Sequence, residues 1–254
     1  MISVVIVGTG NVAQNLFQAF DKVPDVEIKQ VLGRNENHLT FAKDKASINT
    51  DFTQLPSADI YILAISDDSI GLVAEKFKDI DGLIVHTSGA TSLEILSKCK
   101  RTGIFYPLQT FTKGKIISFE SIPICIEANN KKDLELLRNL GKTLSDTVIK
   151  VNSEKRKILH VAAVFVNNFT NYMYTIGAEI CKENNIDFKL LQPLIKETAA
   201  KLDDLTPYES QTGPAKRGDQ KTLHKHLQLI KKTHQRELYT LLSNAIKEKH
   251  GKEL

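Results

Sequence analysis

Through about residue 150 the chain alternates short aliphatic runs with longer stretches whose apolar positions recur at helical spacing. The runs Val4–Val7, Ile28–Leu32, Ile60–Ile65, Leu83–His86 and Ile122–Glu127 are dominated by Ile, Val and Leu, as strands buried on both faces are. A shorter strand is predicted around Ile48. Between them, Val12–Phe20, Glu36–Asp44, Ser69–Phe77, Ser92–Lys98 and Lys131–Leu144 have the length and spacing of covering helices. Alternation of this kind predicts βαβ units and a doubly wound parallel sheet.

After Asn152 the strand pattern stops. Ser153–Asn184, Phe188–Leu205, Asp219–Lys232 and Gln235–Lys249 read as helices only, which places a domain boundary near 152, with an α/β domain over 1–152 and an all-α domain over 153–254. No internal repeat or low-complexity tract interrupts either part. The composition, 41% hydrophobic and 25% charged, is that of an ordinary globular protein. A net charge of +4 fits a lysine-rich solvated surface and implies no nucleic-acid partner. The apolar start Ile2–Val7 lacks the basic flank of a signal peptide, and no segment reaches about 18 uninterrupted apolar residues, so no membrane partner is expected. Cys99, Cys125 and Cys181 are widely spaced and form no CxxC pair. A reduced, cytoplasmic setting without a metal site is the expectation.

The first candidate chemistry lies at Gly8-Thr9-Gly10-Asn11-Val12-Ala13, directly after a strand and opening a helix. In that context Gly-x-Gly-x-x-Ala is a dinucleotide-binding signature of Rossmann-like domains. The first glycine permits a tight turn, the second lets backbone approach the pyrophosphate, and the small third residue lets the helix pack on the strand. The end of the second strand distinguishes NAD from NADP, because an acidic residue there hydrogen-bonds the ribose 2′-hydroxyl. Here it reads Gly33-Arg34-Asn35, where Arg34 can meet a 2′-phosphate and Asn35 can add a hydrogen bond. NADP is therefore the expected cofactor, with Glu36 the residual argument for NAD and a plain surface arginine the competing reading of Arg34. Ala64-Ile65-Ser66-Asp67-Asp68 ends another strand on the ligand-binding edge, so Ile65 and Ser66 are expected near the nicotinamide half, and Asp68 is read as a helix N-cap.

Two further segments are expected on that edge. His86-Thr87-Ser88-Gly89-Ala90 and Tyr106-Pro107-Leu108-Gln109-Thr110-Phe111 supply an imidazole, hydroxyls and an amide. His86 is a candidate for proton transfer or for lining a ligand, against the plainer reading of a satisfied structural histidine. Ser88, Gln109 and Thr110 are candidates for substrate binding. In the long helix, His160, Asn167 and Asn171 are spaced i, i+7 and i+11 and share one stripe at about 100° per residue. Polar groups in so apolar a helix form either a buried hydrogen-bond network or a substrate-facing edge. In the loop Thr212-Gly213-Pro214-Ala215-Lys216-Arg217-Gly218-Asp219, Arg217 can grip an anionic substrate group and Asp219 is read as an N-cap. His226 is expected to be packed and His224 at the surface. No HExxH, GxSxG, phosphate-loop lysine motif or zinc spacing is present.

Taken together, GTGNVA, AISDDSI, HTSGA, YPLQTF, HVAAVFVNN and TGPAKRGD resemble a bacterial NADP oxidoreductase family that joins a Rossmann-like domain to a helical C-terminal domain of uncharacterised function. The resemblance covers nearly the whole chain. Wider similarity runs to deazaflavin-dependent NADP reductases, pyrroline carboxylate reductase, ketopantoate reductase and the β-hydroxyacid dehydrogenases. Those relatives bind substrate between the nucleotide domain and a helical domain that is commonly the dimerisation unit, which implies a homodimer through residues 153–254. One departure stands out. Where the family reads His-Pro-Leu-Gln-Thr-Phe this chain has Tyr106, and a phenol titrates far above an imidazole. The interdomain lysine of the β-hydroxyacid dehydrogenases has two candidate counterparts, Lys157 and Lys201.

The expectation from residues and resemblance is an NADP-dependent oxidoreductase. Hydride would pass between the nicotinamide and a small carbonyl, imine or hydroxy compound, with His86, His160 and Asn167 in catalytic roles and Ser88, Gln109, Thr110, Asn171 and Arg217 holding substrate. The alternatives are a non-catalytic NADP-binding sensor or assembly module, and hydride exchange with a deazaflavin.

Overall fold

The computed structural model describes residues 1–250. The chain divides into two compact units, Met1–Asn167 and Asn168–Leu254. The first holds an eight-stranded sheet: β1 (Ile2–Val7), β2 (Val26–Leu32), β3 (Ser47–Asn49), β4 (Ile60–Leu63), β5 (Leu83–His86), β6 (Thr102–Pro107), β7 (Ile124–Ala128) and β8 (Val148–Lys150). Their spatial order is β3-β2-β1-β4-β5-β6-β7-β8. This is the doubly wound Rossmann-like arrangement, with the strand order reversing between β1 and β4.

Burial alternates along β1 as double winding requires. Val4 and Ile6 join Leu16, Phe17 and Phe20 of helix α1 (Asn11–Phe20) and Phe105 in one core layer. Val5 and Val7 join Tyr61, Leu63, Phe77 and Ile70 of helix α2 (Asp67–Ala74) in the other. Helix α3 (Lys131–Lys142) adds Leu134, Leu137 and Leu140 to the first layer. Helix α4 (Ser153–Ala163) also belongs to this unit.

The sheet departs from the expected all-parallel pattern at one edge. β7 runs antiparallel to β6, and β8 is parallel to β7. The connection from Pro107 to Ile124 contains no helix; it turns back through Gly114 at φ +74° and so cannot make the crossover that a parallel neighbour needs. β6 and β8 were not among the expected strands. β6 carries Gly103 and Pro107, which ordinarily argue against a strand, yet all six of its residues are buried. Gly103 is tolerated because its β-position is filled from outside, with Leu137 and Val85 side chains within 3.2 Å of where a Cβ would lie.

Two expected helices are only short 3-10 turns. Glu36–Asp44 contains a single turn, Glu36–His38, with Asn35 accepting from the Asn37 N–H at 2.9 Å; Leu39 and Ala42 then anchor the chain in the core before β3 begins. Asn-rich sequence of this kind favours caps over helix interiors. Ser92–Lys98 reduces to the turn Leu93–Leu96, capped by Ser92 and anchored by Leu96. Asp68 is not the N-cap of α2. Ser66 occupies that position, and Asp67 and Asp68 lie in the first turn, where their charge complements the helix dipole.

The regular elements among the described residues of the second unit are all helical: α5 (Thr170–Glu183), α6 (Gln192–Ala200), α7 (Pro207–Ser210), α8 (Pro214–Arg217), α9 (Gln220–Leu229) and α10 (Thr233–His250), with 3-10 turns at Phe188–Leu191 and Lys201–Asp203. Asp219 caps α9 by accepting from the Thr222 N–H at 3.1 Å. His226 bonds Tyr239 Oη at 2.8 Å, while His224 is exposed. Lys232 bridges Glu179 and Glu183, tying the start of α10 to α5. Among the described residues of this unit only Cys181, Ala215 and Gln235 are buried.

Candidate active site

The glycine turn occupies the switch point, at the carboxyl end of β1. Gly8 has φ +134°, and a Cβ there would lie 2.1 Å from the Ala64 carbonyl oxygen, so no other residue fits without moving β4. Its N–H donates to the Leu32 carbonyl at 2.8 Å. At Gly10 the corresponding space is open, with nothing within 4 Å. Gly10 is also the N-cap of α1; it offers no side-chain acceptor, and the first turn holds no acidic residue. The first amides of α1 and its dipole are therefore left for an external anion, which is the fit that a dinucleotide pyrophosphate requires. Ala13 is fully buried against the core, and Val12 packs beside it. Thr9 comes so near Gly33 that a Cβ on Gly33 would stand 2.5 Å from the threonine methyl. That glycine thus lets the ends of β1 and β2 converge.

Arg34 and Asn35 come directly after Gly33 on the exposed lip of β2. Asn35 spends its side-chain oxygen on the Glu36–His38 turn, which leaves its amide N–H₂ to meet a ligand. Ile65 lies behind Gly8, and Ser66 is exposed at the head of α2 with its hydroxyl on Ser69 at 2.9 Å.

Asn11 and Asn15 fasten the YPLQTF segment to this turn. Asn11 Nδ2 donates to the Phe111 carbonyl at 2.9 Å. Asn15, 2% exposed, donates to the carbonyls of Asn11 and Lys115 at 2.9 and 3.2 Å and accepts from the Ile117 N–H at 3.1 Å. Gln109 and Thr110 are exposed just before the fastened stretch, with Gln109 Oε1 accepting from the Thr110 N–H at 2.8 Å.

At the end of β5, His86 is fully buried and organises its own loop. Its Nδ1 accepts from the Ser88 N–H at 3.2 Å, so Nε2 carries the proton, facing the Ser92 carbonyl at 3.4 Å. Burial, helped by the nearby Arg156 charge, lowers its pKa to about 4 and keeps the ring neutral. Ser88 is likewise spent on the loop: its Oγ donates to Thr91 Oγ1 at 3.0 Å and accepts from the N–H groups of Ala90 and Thr91.

Gly89, in the same loop, marks where side chains converge. A Cβ there would stand 2.6 Å from His160 Nδ1 and 2.8 Å from Tyr106 Cζ. Tyr106 Oη and His160 Nδ1 are hydrogen-bonded at 3.2 Å, and the rings meet edge to face with centroids 6.2 Å apart. Burial pushes the Tyr106 phenol up to about 12, so it stays protonated across the physiological range. The departure from the family motif thus places a permanently neutral hydroxyl against the histidine of the long helix.

Asn167 closes the first unit, and Asn171 and Arg217 belong to the second. Asn167 and Asn171 do not continue the His160 stripe, because the helix passes through a π turn at Val164–Phe169. An i→i+5 turn holds about one residue more than an α turn, so a lag builds up through it, across Asn167, and reaches roughly 100° for Asn171 beyond it. Both asparagines are exposed, which excludes a buried network for them within the chain. Arg217 is exposed in the second unit beside Gly218 at φ +70°, while Lys216 Nζ donates to the Gln211 carbonyl at 2.8 Å. Sequence reasoning missed Arg156, Glu127 and Ser153, which are hydrogen-bonded together beneath the loop. A cation in the second turn of a helix that becomes strongly apolar was the available signal.

A crystal structure from Bacteroides fragilis, described as a "putative NADP oxidoreductase BF3122", matches with 37% identity over 97% of this chain and 98% of its own, at a TM-score of 0.89. The chain belongs to that oxidoreductase family. Protein TM1727 of Thermotoga maritima shares the fold at 22% identity, covering 97% of this chain and 99% of its own, with a TM-score of 0.80. An imine reductase from Myxococcus stipitatus, solved with NADP+, shares it at 15% identity over 98% and 96%, with a TM-score of 0.65. The sequence model "Domain of unknown function (DUF2520)" matches residues 122–246. No functionally curated protein sequence matches the chain. The likeness to the Bacteroides protein extends through both the Rossmann-like and the helical part. No helix among the described residues is long and apolar enough to cross a membrane.

Proposed function

We propose that this family member is an NADP-dependent oxidoreductase that reduces, or forms by the reverse reaction, a small carbonyl or imine compound at the edge where Gly89, Tyr106 and His160 meet. The observation that carries the reading is the Tyr106–His160 hydrogen bond, set on the same sheet edge as a glycine turn whose helix amides await an anion. Gly8, Thr9, Gly10, Asn11, Val12 and Ala13 would hold the pyrophosphate, Arg34 and Asn35 the 2′-phosphate, and Ile65 and Ser66 the nicotinamide half. The bound dinucleotide supplies or accepts the hydride.

The protein's part is the proton. Tyr106 occupies His160 Nδ1, which leaves Nε2 as the ring nitrogen to meet a substrate oxygen or nitrogen. In the imidazolium form Nδ1–H donates to Tyr106 Oη, and the Nε2 proton passes to the substrate oxygen or nitrogen as its carbon is reduced. In the neutral form that remains, Nδ1 keeps its proton and its bond to Tyr106 Oη, and bare Nε2 takes up a fresh proton from solvent before the next cycle. Tyr106 serves both states without itself ionising, because its hydroxyl oxygen accepts from Nδ1–H in each. His86 and Ser88 shape the loop, while Gln109 and Thr110 are positioned to touch substrate. In this proposal Asn167 keeps a catalytic role, and Asn171 and Arg217 bind substrate.

The proposal includes a homodimer through the helical unit. The three buried residues among those described are too few to stabilise that unit alone, and Leu190, Leu194, Leu202, Leu229 and Leu241 are more than half exposed. The test of function is NADPH binding measured by fluorescence, then NADPH oxidation against a carbonyl and imine panel. Saturable binding, with turnover that His160→Ala abolishes, is expected; absence of binding overturns the reading. Tight binding with no turnover across the panel points instead to a sensor.

A further inference from the structure

Arg156 has no exposed surface, and every nitrogen of its guanidinium is engaged. Nη1 donates to Glu127 Oε2 at 2.6 Å, Nε to the Ser88 carbonyl at 3.2 Å, and Nη2 to the Thr91 carbonyl at 2.5 Å and to Ser153 Oγ at 3.2 Å. Ser153 completes the network, donating to the same Glu127 oxygen at 2.8 Å and accepting from the Leu93 N–H at 3.0 Å. A buried ion pair contributes little net stability compared with apolar packing, because both charges must leave water. What it does provide is a fixed geometry: the planar fork reaches three elements at once, and a lysine ammonium cannot reproduce that.

The two carbonyls that it grips bracket Gly89, and Arg156 lies one helical turn before His160 on the same face of α4. The clamp and the site therefore share both the loop and the helix. We infer that Arg156, with Glu127 as its counterion, is a positioning residue that clips the Ser88–Thr91 loop to α4 at the register seating Gly89 against the His160–Tyr106 pair. The inference rests on the reductase reading for its purpose, though not for its geometry. Arg156 touches neither ring and holds no part of the glycine turn, so it acts on the proton-handling pair through the loop.

The test uses the full chain labelled with 15N-histidine, compared as wild type, Arg156→Lys, Glu127→Gln and Tyr106→Phe. Tyr106→Phe defines the His160 Nδ1 resonance without its hydrogen bond. Arg156→Lys and Glu127→Gln are expected to shift the wild-type resonance toward that position, leaving His226, bonded to Tyr239 in the other unit, where it was. An unchanged His160 resonance in a folded Arg156→Lys protein overturns the inference, as does equal movement of all histidine signals, which reports general loosening. Should Arg156→Lys fail to fold, Glu127→Gln decides alone by the same two criteria. An NADPH titration of the wild type is read separately: its failure removes the reductase reading, whereas the resonance pattern judges the clamp.

Discussion

Gly89 and His160 are packed so closely that a methyl group on the first would stand 2.6 Å from Nδ1 of the second. Gly89→Ala should therefore push the imidazole off Tyr106. The cost of such overpacking is roughly 1–3 kcal/mol in stability. NADPH affinity should stay within about twofold of wild type, because the glycine turn is untouched, while turnover falls by at least about tenfold, the equivalent of roughly 1.4 kcal/mol in the barrier. Urea unfolding, NADPH titration and single-substrate kinetics separate the three. A variant with wild-type turnover would remove the pair from the mechanism.

The two glycines of the turn should fail in different ways. Gly8→Ala collides with the Ala64 carbonyl and is strained at φ +134°, so it should unfold at clearly lower denaturant, by at least about 1–3 kcal/mol. Gly10 has φ −76°, which alanine adopts freely, and open space around it. Gly10→Ala should thus keep its stability within about 1 kcal/mol of wild type, the ordinary difference at an N-cap, yet lose NADPH affinity because its methyl occupies the phosphate approach. Thermal unfolding with and without NADPH distinguishes them.

Arg34 is exposed at the end of β2, and its proposed task is the 2′-phosphate. Arg34→Ala should weaken NADPH binding about tenfold to a hundredfold, the size of one or two charge-assisted hydrogen bonds, and leave NADH binding unchanged. Parallel titrations with both dinucleotides measure this. Equal loss for the two would mean that Arg34 contacts a part that they share.

Much of this site was legible in sequence because its parts are local. A glycine turn after a strand carries its own geometry, and the chain ends of β1, β2, β4 and β5 converge wherever that strand order is adopted. The Tyr106–His160 bond was not legible: its partners are 54 residues apart and meet only once β6 is recognised as a strand, which Gly103 and Pro107 conceal. The π turn was equally hidden, since Val164–Phe169 has the same apolar spacing in either helix type. Arg156 went unread because sequence shows the charge and not the Glu127 carboxylate, 29 residues away, that neutralises it.

The sparse burial in the second unit leads to a prediction about assembly. With only Cys181, Ala215 and Gln235 buried among its described residues, the exposed leucines are the surface through which we propose self-association. Light scattering on the eluting protein should give twice the 28.4 kDa chain mass at micromolar concentration. Paired Leu190→Glu and Leu194→Glu substitutions should return monomers of lower stability. A stable wild-type monomer would refute self-association through this unit.

His86 predicts a pH dependence that stands apart from catalysis. In the fold its pKa lies at about 4, against an ordinary value of 6.5, because the buried ring excludes the charged form. Between those values the unfolded chain binds the proton and the folded chain does not, so stability is complete above pH 6.5 and declines as pH falls toward 4. The expected loss from this one group is about 2 kcal/mol between about pH 7.5 and pH 5. The carboxylates of Asp51 and Asp59, held below their usual range chiefly by hydrogen bonds from Thr53 and Ser3, are lost at lower pH and leave this window largely to the histidine. His86→Gln keeps a donor in the loop but cannot titrate. Its unfolding free energy should be lower than wild type at about pH 7.5 and should change little on going to about pH 5, so that the two curves approach each other as the medium acidifies. Urea denaturation at several pH values measures both slopes. Parallel curves for the two proteins would show that His86 is not held neutral by the fold, and the loop around Ser88 would then need another organiser.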